Sequence, residues 1–278
     1  MPLTIASNIV ALSVQRKVGQ TNDALGQTFL RLATGLRVNS AKDDAGSLGL
    51  ATRLTAKIQG LGKAAQNAND GISLSQVADD ALVETVNAMQ RIRELAVEAK
   101  GGTKSSSDRQ TLQTEVNAMI SEIDRIATEV KFNGLRLLAG SFTAMDFHIG
   151  ADAGNTVEIT FAAASTNKVG LGVAGNSAAV STVTKASRTI LLIDSALDSI
   201  SSIRATIGAA QNRFESIASQ IQSLSDSYTT ARSNIMDANI AKETAEMTRN
   251  TIIKQAGISV LAQANLQPKL LLQLLGTV

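Results

Sequence analysis

The sequence predicts a mainly α fold: a long antiparallel coiled-coil helical bundle with a small β-hairpin element, its N- and C-terminal helices paired. Three observations predict it. Apolar residues recur at alternating steps of three and four over three long stretches, the spacing of a heptad seam. Aromatics make up only 3% of the 278 residues and tryptophan is absent, while Ala, Leu and Ile abound. Narrow helix-to-helix seams are filled by such residues, whereas a thick globular core draws on large rings. Finally, both chain ends are amphipathic, and the last stretch carries Leu261, Leu266, Leu270, Leu271, Leu272, Leu274 and Leu275.

Residues 1–40 place Val18, Leu25, Phe29, Leu32 and Leu36 at helical spacing. A second helix is expected from about 44 to 100, with Leu54, Ile58, Leu61, Ala65, Ala68, Ile72, Leu82, Val86 and Met89 along its seam. Asn39, Ser40, Asp43 and Asp44 offer caps at its start, and Gly101-Gly102 stops it. At 1.5 Å per residue it would be ~85 Å long. A third helix, capped by Ser107 or Asp108, shows Leu112, Val116, Met119, Ile123, Ile126 and Val130 and ends before Asn133-Gly134. The short glycine-serine link folds it back antiparallel on the second.

Between 135 and 185 the period changes to two. Met145, Phe147 and Ile149, then Val157, Ile159 and Phe161, alternate with polar residues around Gly150 to Asn155, which reads as a β-hairpin with His148 pointing outward. After a Gly-, Ala-, Ser- and Thr-rich stretch at 162–187 comes the longest seam: Ile200, Ile203, Ile207, Ala210, Phe214, Ile217, Ile221, Leu224, Tyr228, Ala231, Ile235 and Ala238. The last helix, 241–278, is interrupted at Pro268-Lys269. The domain reading is therefore 1–40 plus 241–278 as a terminal coiled-coil domain, and 41–240 as a bundle containing the hairpin and a short variable segment at about 135–187.

The chemistry available is sparse. Zero cysteines remove disulfides, thiolate metal sites and thiol nucleophiles, and the single His148 cannot form a multi-histidine cluster. Asp43-Asp44 and Asp79-Asp80 are adjacent carboxylates, but helical neighbours point about 100° apart and cannot converge as an acid and base pair. Glycines 46, 49, 60 and 62 lack phosphate-loop spacing, and a His-Glu-x-x-His metallopeptidase motif is absent. These features predict no enzyme, no cofactor and no metal. The net charge of +2 gives no bulk attraction to nucleic acid or membrane, and Arg16, Lys17, Arg31, Arg37 and Lys42 lack the aromatic stacking partners of a nucleic-acid surface. No run reaches the ~20 apolar residues that span a bilayer, and no cleavable signal peptide is evident.

Burying seven leucines returns less than the backbone entropy of ordering the tail that carries them. Even paired with the first helix, the tail would leave a leucine face open to water. The ends are thus expected to order together when many copies pack side by side. The subunit-assembly residues are taken as Leu25, Phe29, Leu32, Leu36, Leu261, Leu266, Leu270, Leu271, Leu274 and Leu275. An intracellular coiled-coil scaffold shares the heptads but gives no reason for apolar ends of matching length.

Five blocks resemble bacterial flagellin in the family's order: residues 31–44 (RLATGLRVNSAKDD), 67–73 (NANDGIS), 90–96 (QRIRELA), 211–216 (QNRFES) and 255–265 (QAGISVLAQAN). The resemblance implies a subunit that self-assembles into the helical flagellar filament, the propeller of bacterial motility. It implies paired termini as an inner layer lining a channel, the bundle around it, and a middle too short for bulky outer domains. It also implies unfolded export through a type III apparatus to the extracellular flagellum. Implied partners are the filament cap, the hook-junction proteins, a secretion chaperone and, conditionally, a Toll-like innate-immune receptor at Gln90, Arg91, Leu95 and Glu115. A hook-filament junction protein is the nearest rival. Whether Ser and Thr at 162–187 carry glycans stays open.

Overall fold

The computed structural model describes residues 8–140, 145–160, 162, 164, 172–173 and 178–275, with side chains up to Leu266 in the last helix. The elements are α1 (Ile9–Thr34), α2 (Ala45–Lys100), α3 (Ser106–Glu129), β1 (Lys131–Phe132), β2 (Leu135–Arg136), β3 (Met145–His148), β4 (Thr156–Ile159), α4 (Val183–Met236) and α5 (Ile240–Leu275). They fall into two compact units, one of residues up to Thr55 with those from Ser227 onward, the other Ala56–Asp226.

In the Ala56–Asp226 unit, α2 buries Leu61, Ala64, Ala68, Gly71, Ser75, Ala78, Leu82, Thr85, Met89, Ile92, Ala96 and Ala99, steps of three and four without a break. Two thirds of these residues are small or polar, so a count of large apolar side chains sees the seam poorly. Leu54, Ile58, Ala65 and Ile72, expected on it, flank it half-buried. Opposite runs α4, whose Ala186, Ile193, Ile200, Ile207, Phe214 and Ile221 are buried at every seventh position. Arg204 holds Asp79 with both arms of its guanidinium at 2.7 and 3.1 Å, and Arg93 reaches Asp194 at 2.7 Å. As the α2 partner advances, the α4 partner retreats, so the two helices are antiparallel. Arg91 with Glu115, and Arg109 with the Ala99 carbonyl, give α3 the same sense against α2.

Gly71 is required by contact. A Cβ there would lie 2.7 Å from the Phe214 ring. Phe214 also receives Phe147 of β3 edge-on, with centroids 5.4 Å apart. The β3–β4 hairpin pairs Met145 with Ile159 and Phe147 with Val157, giving one apolar face. Asn67 of α2 donates to the His148 carbonyl at 2.7 Å, and Gly60 lets Ala151 approach to where a Cβ would be 3.2 Å away. His148 itself is exposed, the surface position expected.

Several local expectations are corrected. The N-cap of α3 is Ser105 rather than Ser107 or Asp108; its side chain accepts from the Asp108 N–H while Asp108 accepts from the Ser105 N–H, a capping box. Asn133-Gly134 is more than a helix stop: with φ of 49° and 82° it forms the two-residue turn between β1 and β2. Helix α4 begins at Val183, inside the Ala/Ser/Thr-rich stretch, because Gln113 and Thr189 fix the approach to it. Gln113 accepts from the Val180 N–H at 2.5 Å and Thr189 donates to the Ala179 carbonyl at 2.8 Å. Finally, α5 continues through Pro268 to Leu275 instead of breaking there. Phe161, read as part of the second strand, lies outside the described residues.

Candidate assembly interface

The other unit is built on α1 and α5. Helix α1 ends because Gly35 takes a left-handed φ of 71°. The chain then meets the start of α5 backbone to backbone: Leu36 pairs with Asp237, the Arg37 N–H donates to the Met236 carbonyl at 2.6 Å, and the Ala238 N–H donates to the Gly35 carbonyl at 2.9 Å. Arg37 adds a guanidinium bond to the Ile235 carbonyl at 2.7 Å.

From this tie the helices run antiparallel. Arg31 reaches Glu243 at 3.4 Å; Val18 packs where a Cβ on Gly257 would lie 2.7 Å from its methyl; Asn8 donates to the Ala264 carbonyl at 2.8 Å. The contact is lined by small and polar groups. Thr21, Thr28, Glu243 and Ala264 are all buried. The threonine hydroxyls donate to carbonyls of their own helix, those of Lys17 and Ala24, and so enter the seam satisfied. Glu243 does not: one carboxylate oxygen takes the long Arg31 contact and the other is buried without a partner among the described residues.

Six large apolar side chains are turned the other way. Ile9, Leu12, Phe29, Ile252, Ile258 and Leu266 are each more than half exposed, Phe29 the most at 66%. A helix pair normally buries its large hydrophobes and shows its polar groups to water, and this one is inverted. Of the expected assembly residues, Phe29 and Leu266 lie on this outward surface, while Leu25, Leu32, Leu36 and Leu261 are half-buried. The side chains of Leu270, Leu271, Leu274 and Leu275 lie outside the described residues. Sequence reasoning missed Thr21, Thr28, Glu243 and Asn8. The seven-residue spacing of the two threonines was the available signal.

The turn between α1 and α2 is built by carboxylates. Asp43 is held below the usual aspartate range, first by the Asn39 N–H and then by Ser40, with Arg31 contributing. The Asp44 carboxyl is likewise lowered, chiefly by the Ser47 hydroxyl, which it accepts at 2.5 Å. Both aspartates are therefore turn-formers.

On the Ala56–Asp226 unit, Gln90 and Arg91 are exposed and Glu115 half-buried. Arg91 bonds Glu115 at 2.8 Å and Glu94 at 3.1 Å. Leu95 is different: at 1% exposure it belongs to the core, so the surface at this place consists of Gln90, Arg91 and Glu115. Arg91 also borders an open groove of about 510 Å³ between α2 and α3, with Glu84, Met119, Glu122 and Arg125. Arg125 is paired with Glu122 and Glu129, so charges along the groove neutralise one another locally.

Comparison with known proteins agrees along the length of the chain. Residues 5–143 match the family region described as bacterial flagellin N-terminal helical region, and residues 190–275 the bacterial flagellin C-terminal helical region. The chain is 36% identical over 285 residues to Flagellin FlaB1 of Treponema pallidum, covering 98% of this chain and all of that protein. It is 36% identical to the Flagellar filament 33 kDa core protein of Treponema phagedenis with the same coverage. Flagellin B of Vibrio anguillarum is 32% identical over an alignment of 376 residues that covers 99% of this chain. Among solved structures, the flagellin of Bacillus cereus superposes with a TM-score of 0.50 at 27% identity, over 56% of this chain and 88% of that one. A putative flagellar hook-associated protein from Vibrio parahaemolyticus shares the fold, with a TM-score of 0.57 at 12% identity, over 70% of this chain and all of that one.

Proposed function

The chain belongs to the bacterial flagellin family as a structural filament subunit and not an enzyme, and from that premise we propose that its inverted helix pair is the element that joins copy to copy. The carrying observation is the outward display of Ile9, Leu12, Phe29, Ile252, Ile258 and Leu266 around a seam of Thr21, Thr28 and Glu243. Exposed apolar surface of this extent marks an interaction site. In the filament those residues, with Leu25, Leu32, Leu36, Leu261 and the leucines from 270 to 275, pack against the same helices of sister subunits. Residues 1–40 and 241–278 form the inner layer and 41–240 the layer around it. The length supports a short form: the alignment to the Vibrio relative runs to 376 residues against 278 here.

The subunit is part of the flagellum, and we place it outside the cell, delivered unfolded. Absence of cysteine suits that route, since an unfolded chain in transit has no thiols to cross-link. A secretion chaperone for the leucine-rich end, the filament cap and the hook-junction proteins complete the set of partners. Gln90, Arg91 and Glu115 serve packing between subunits first; a Toll-like receptor engaging the free subunit would meet this same surface.

The test is polymerisation of purified chain on short filament seeds, followed by electron microscopy and by circular dichroism of monomer and polymer. Filaments should form, with helicity per residue higher in the polymer because the ends order there. A fully helical monomer that never elongates seeds overturns the proposal.

A further inference from the structure

Proline at position 268 lies inside α5, which runs from Ile240 to Leu275. Proline has no N–H, so the carbonyl four residues earlier loses its helical donor. The residue four earlier is Ala264. Its carbonyl accepts instead from Asn8 Nδ2 at 2.8 Å, across 256 residues of chain. Asn8 uses its other side-chain atom at the same time: Oδ1 accepts from the Ala11 N–H at 2.9 Å and caps α1. One amide therefore starts the first helix and replaces the hydrogen bond that proline removes from the last.

We propose that Asn8 is the positioning residue that makes continuation of α5 past Pro268 conditional on the docking of α1. While the ends are apart, water hydrates the Ala264 carbonyl and nothing compensates for a proline inside the helix. In the paired ends Ala264 is 5% exposed, which leaves its carbonyl little access to water. A buried carbonyl without a donor is costly, so pairing is favoured with Asn8 in place and weakened without it. The leucine-rich turns beyond Pro268 thus become helical only on a chain whose two ends are matched. This rests on the assembly reading above.

The coupling is measured on the full-length chain, as the critical concentration for elongating seeds sheared from native filaments. Asn8→Ser keeps a good helix cap but its short hydroxyl does not span to Ala264. With Pro268 present it should raise the critical concentration about tenfold, the effect of a buried acceptor left unsatisfied. In a Pro268→Ala background, where the helix supplies its own N–H to Ala264, the same change should cost no more than about twofold. Asn8→Asp, which keeps the side-chain shape but has no donor, should show the same dependence on Pro268. Equal losses in both backgrounds, or no loss in either, overturn the proposal. If the unaltered chain fails to elongate seeds, the assembly reading itself falls and the proposal with it.

Discussion

Two residue-scale contacts organise the Ala56–Asp226 unit and are open to direct test. Gly71 gives Phe214 its place, and an added methyl would stand 2.7 Å from the ring. Gly71→Ala should therefore lower stability by ~1 to 3 kcal/mol, the range of overpacked cores, although alanine is the better helix former. Phe214→Ala removes the ring on which Phe147 packs and should cost ~3 to 5 kcal/mol. Chemical denaturation followed at 222 nm measures both. The α3 cap gives a pH signature. The Ser105 N–H, and then its hydroxyl, lower the Asp108 carboxyl below its ordinary value of 3.8. A carboxyl lowered in the folded state contributes stability that is full above the ordinary value and is lost as pH falls through the lowered one. The melting-temperature gap between the native chain and Asp108→Asn should accordingly be constant at neutral pH and narrow below about pH 4. A gap that stays constant into acid would remove the carboxylate from the cap. At this scale the sequence offered the residue types but not the pairings: Ser105 and Asp108 spell a capping box, whereas no local pattern joins Gly71 to Phe214.

Helices were legible where their buried faces are apolar and obscure where they are small or polar. The α4 seam could be read because Ile200, Ile207, Phe214 and Ile221 carry it. The α2 seam was drawn partly off its axis because Ala64, Gly71, Ser75 and Thr85 hold it, small side chains that leave room for the helix opposite. In α1 the apolar spacing runs through Val18, Leu25, Phe29, Leu32 and Leu36, yet Phe29 is exposed while Thr21 and Thr28 are buried. Phe29 is exposed on the single chain, so intrachain packing does not follow from its place in the apolar spacing. The same helix pair contains a deliberate weakness. Glu243 is buried with one oxygen unpaired among the described residues and a single long contact to Arg31. Replacing a buried ion pair by apolar residues is often stabilising, and removing one partner is damaging. Arg31→Met with Glu243→Leu should raise amide protection over 21–28 and 243–257 in the free chain, whereas Arg31→Met alone should lower seeded elongation. Hydrogen exchange and elongation rates report the two outcomes, and unchanged protection in the double variant would show that the ion pair does not limit pairing.

For the whole molecule, the two units carry different kinds of stability. The Ala56–Asp226 unit has a contiguous core from Ala68 through Phe214 and should melt cooperatively whether or not copies are joined. The helix pair has several large apolar side chains outside; on the assembly proposed above, its ordering should follow protein concentration and seeds by mass action. Two transitions in filament calorimetry, with only the lower one absent in the monomer, are the expected result; a single transition common to both states would contradict it. The Gly71 and Phe214 contact has a consequence at this scale too. Buried residues recur every seventh position on α4, so sliding that helix by seven would leave its isoleucines as well seated as before. Besides breaking the Arg204–Asp79 and Arg93–Asp194 bonds, the slide is opposed by the one ring in the row, which would arrive over Ala64 or Ala78 and find a methyl group where it needs a vacancy. Every copy is thereby cut to the same gauge, and a lattice repeating one part many times over depends on interchangeable parts.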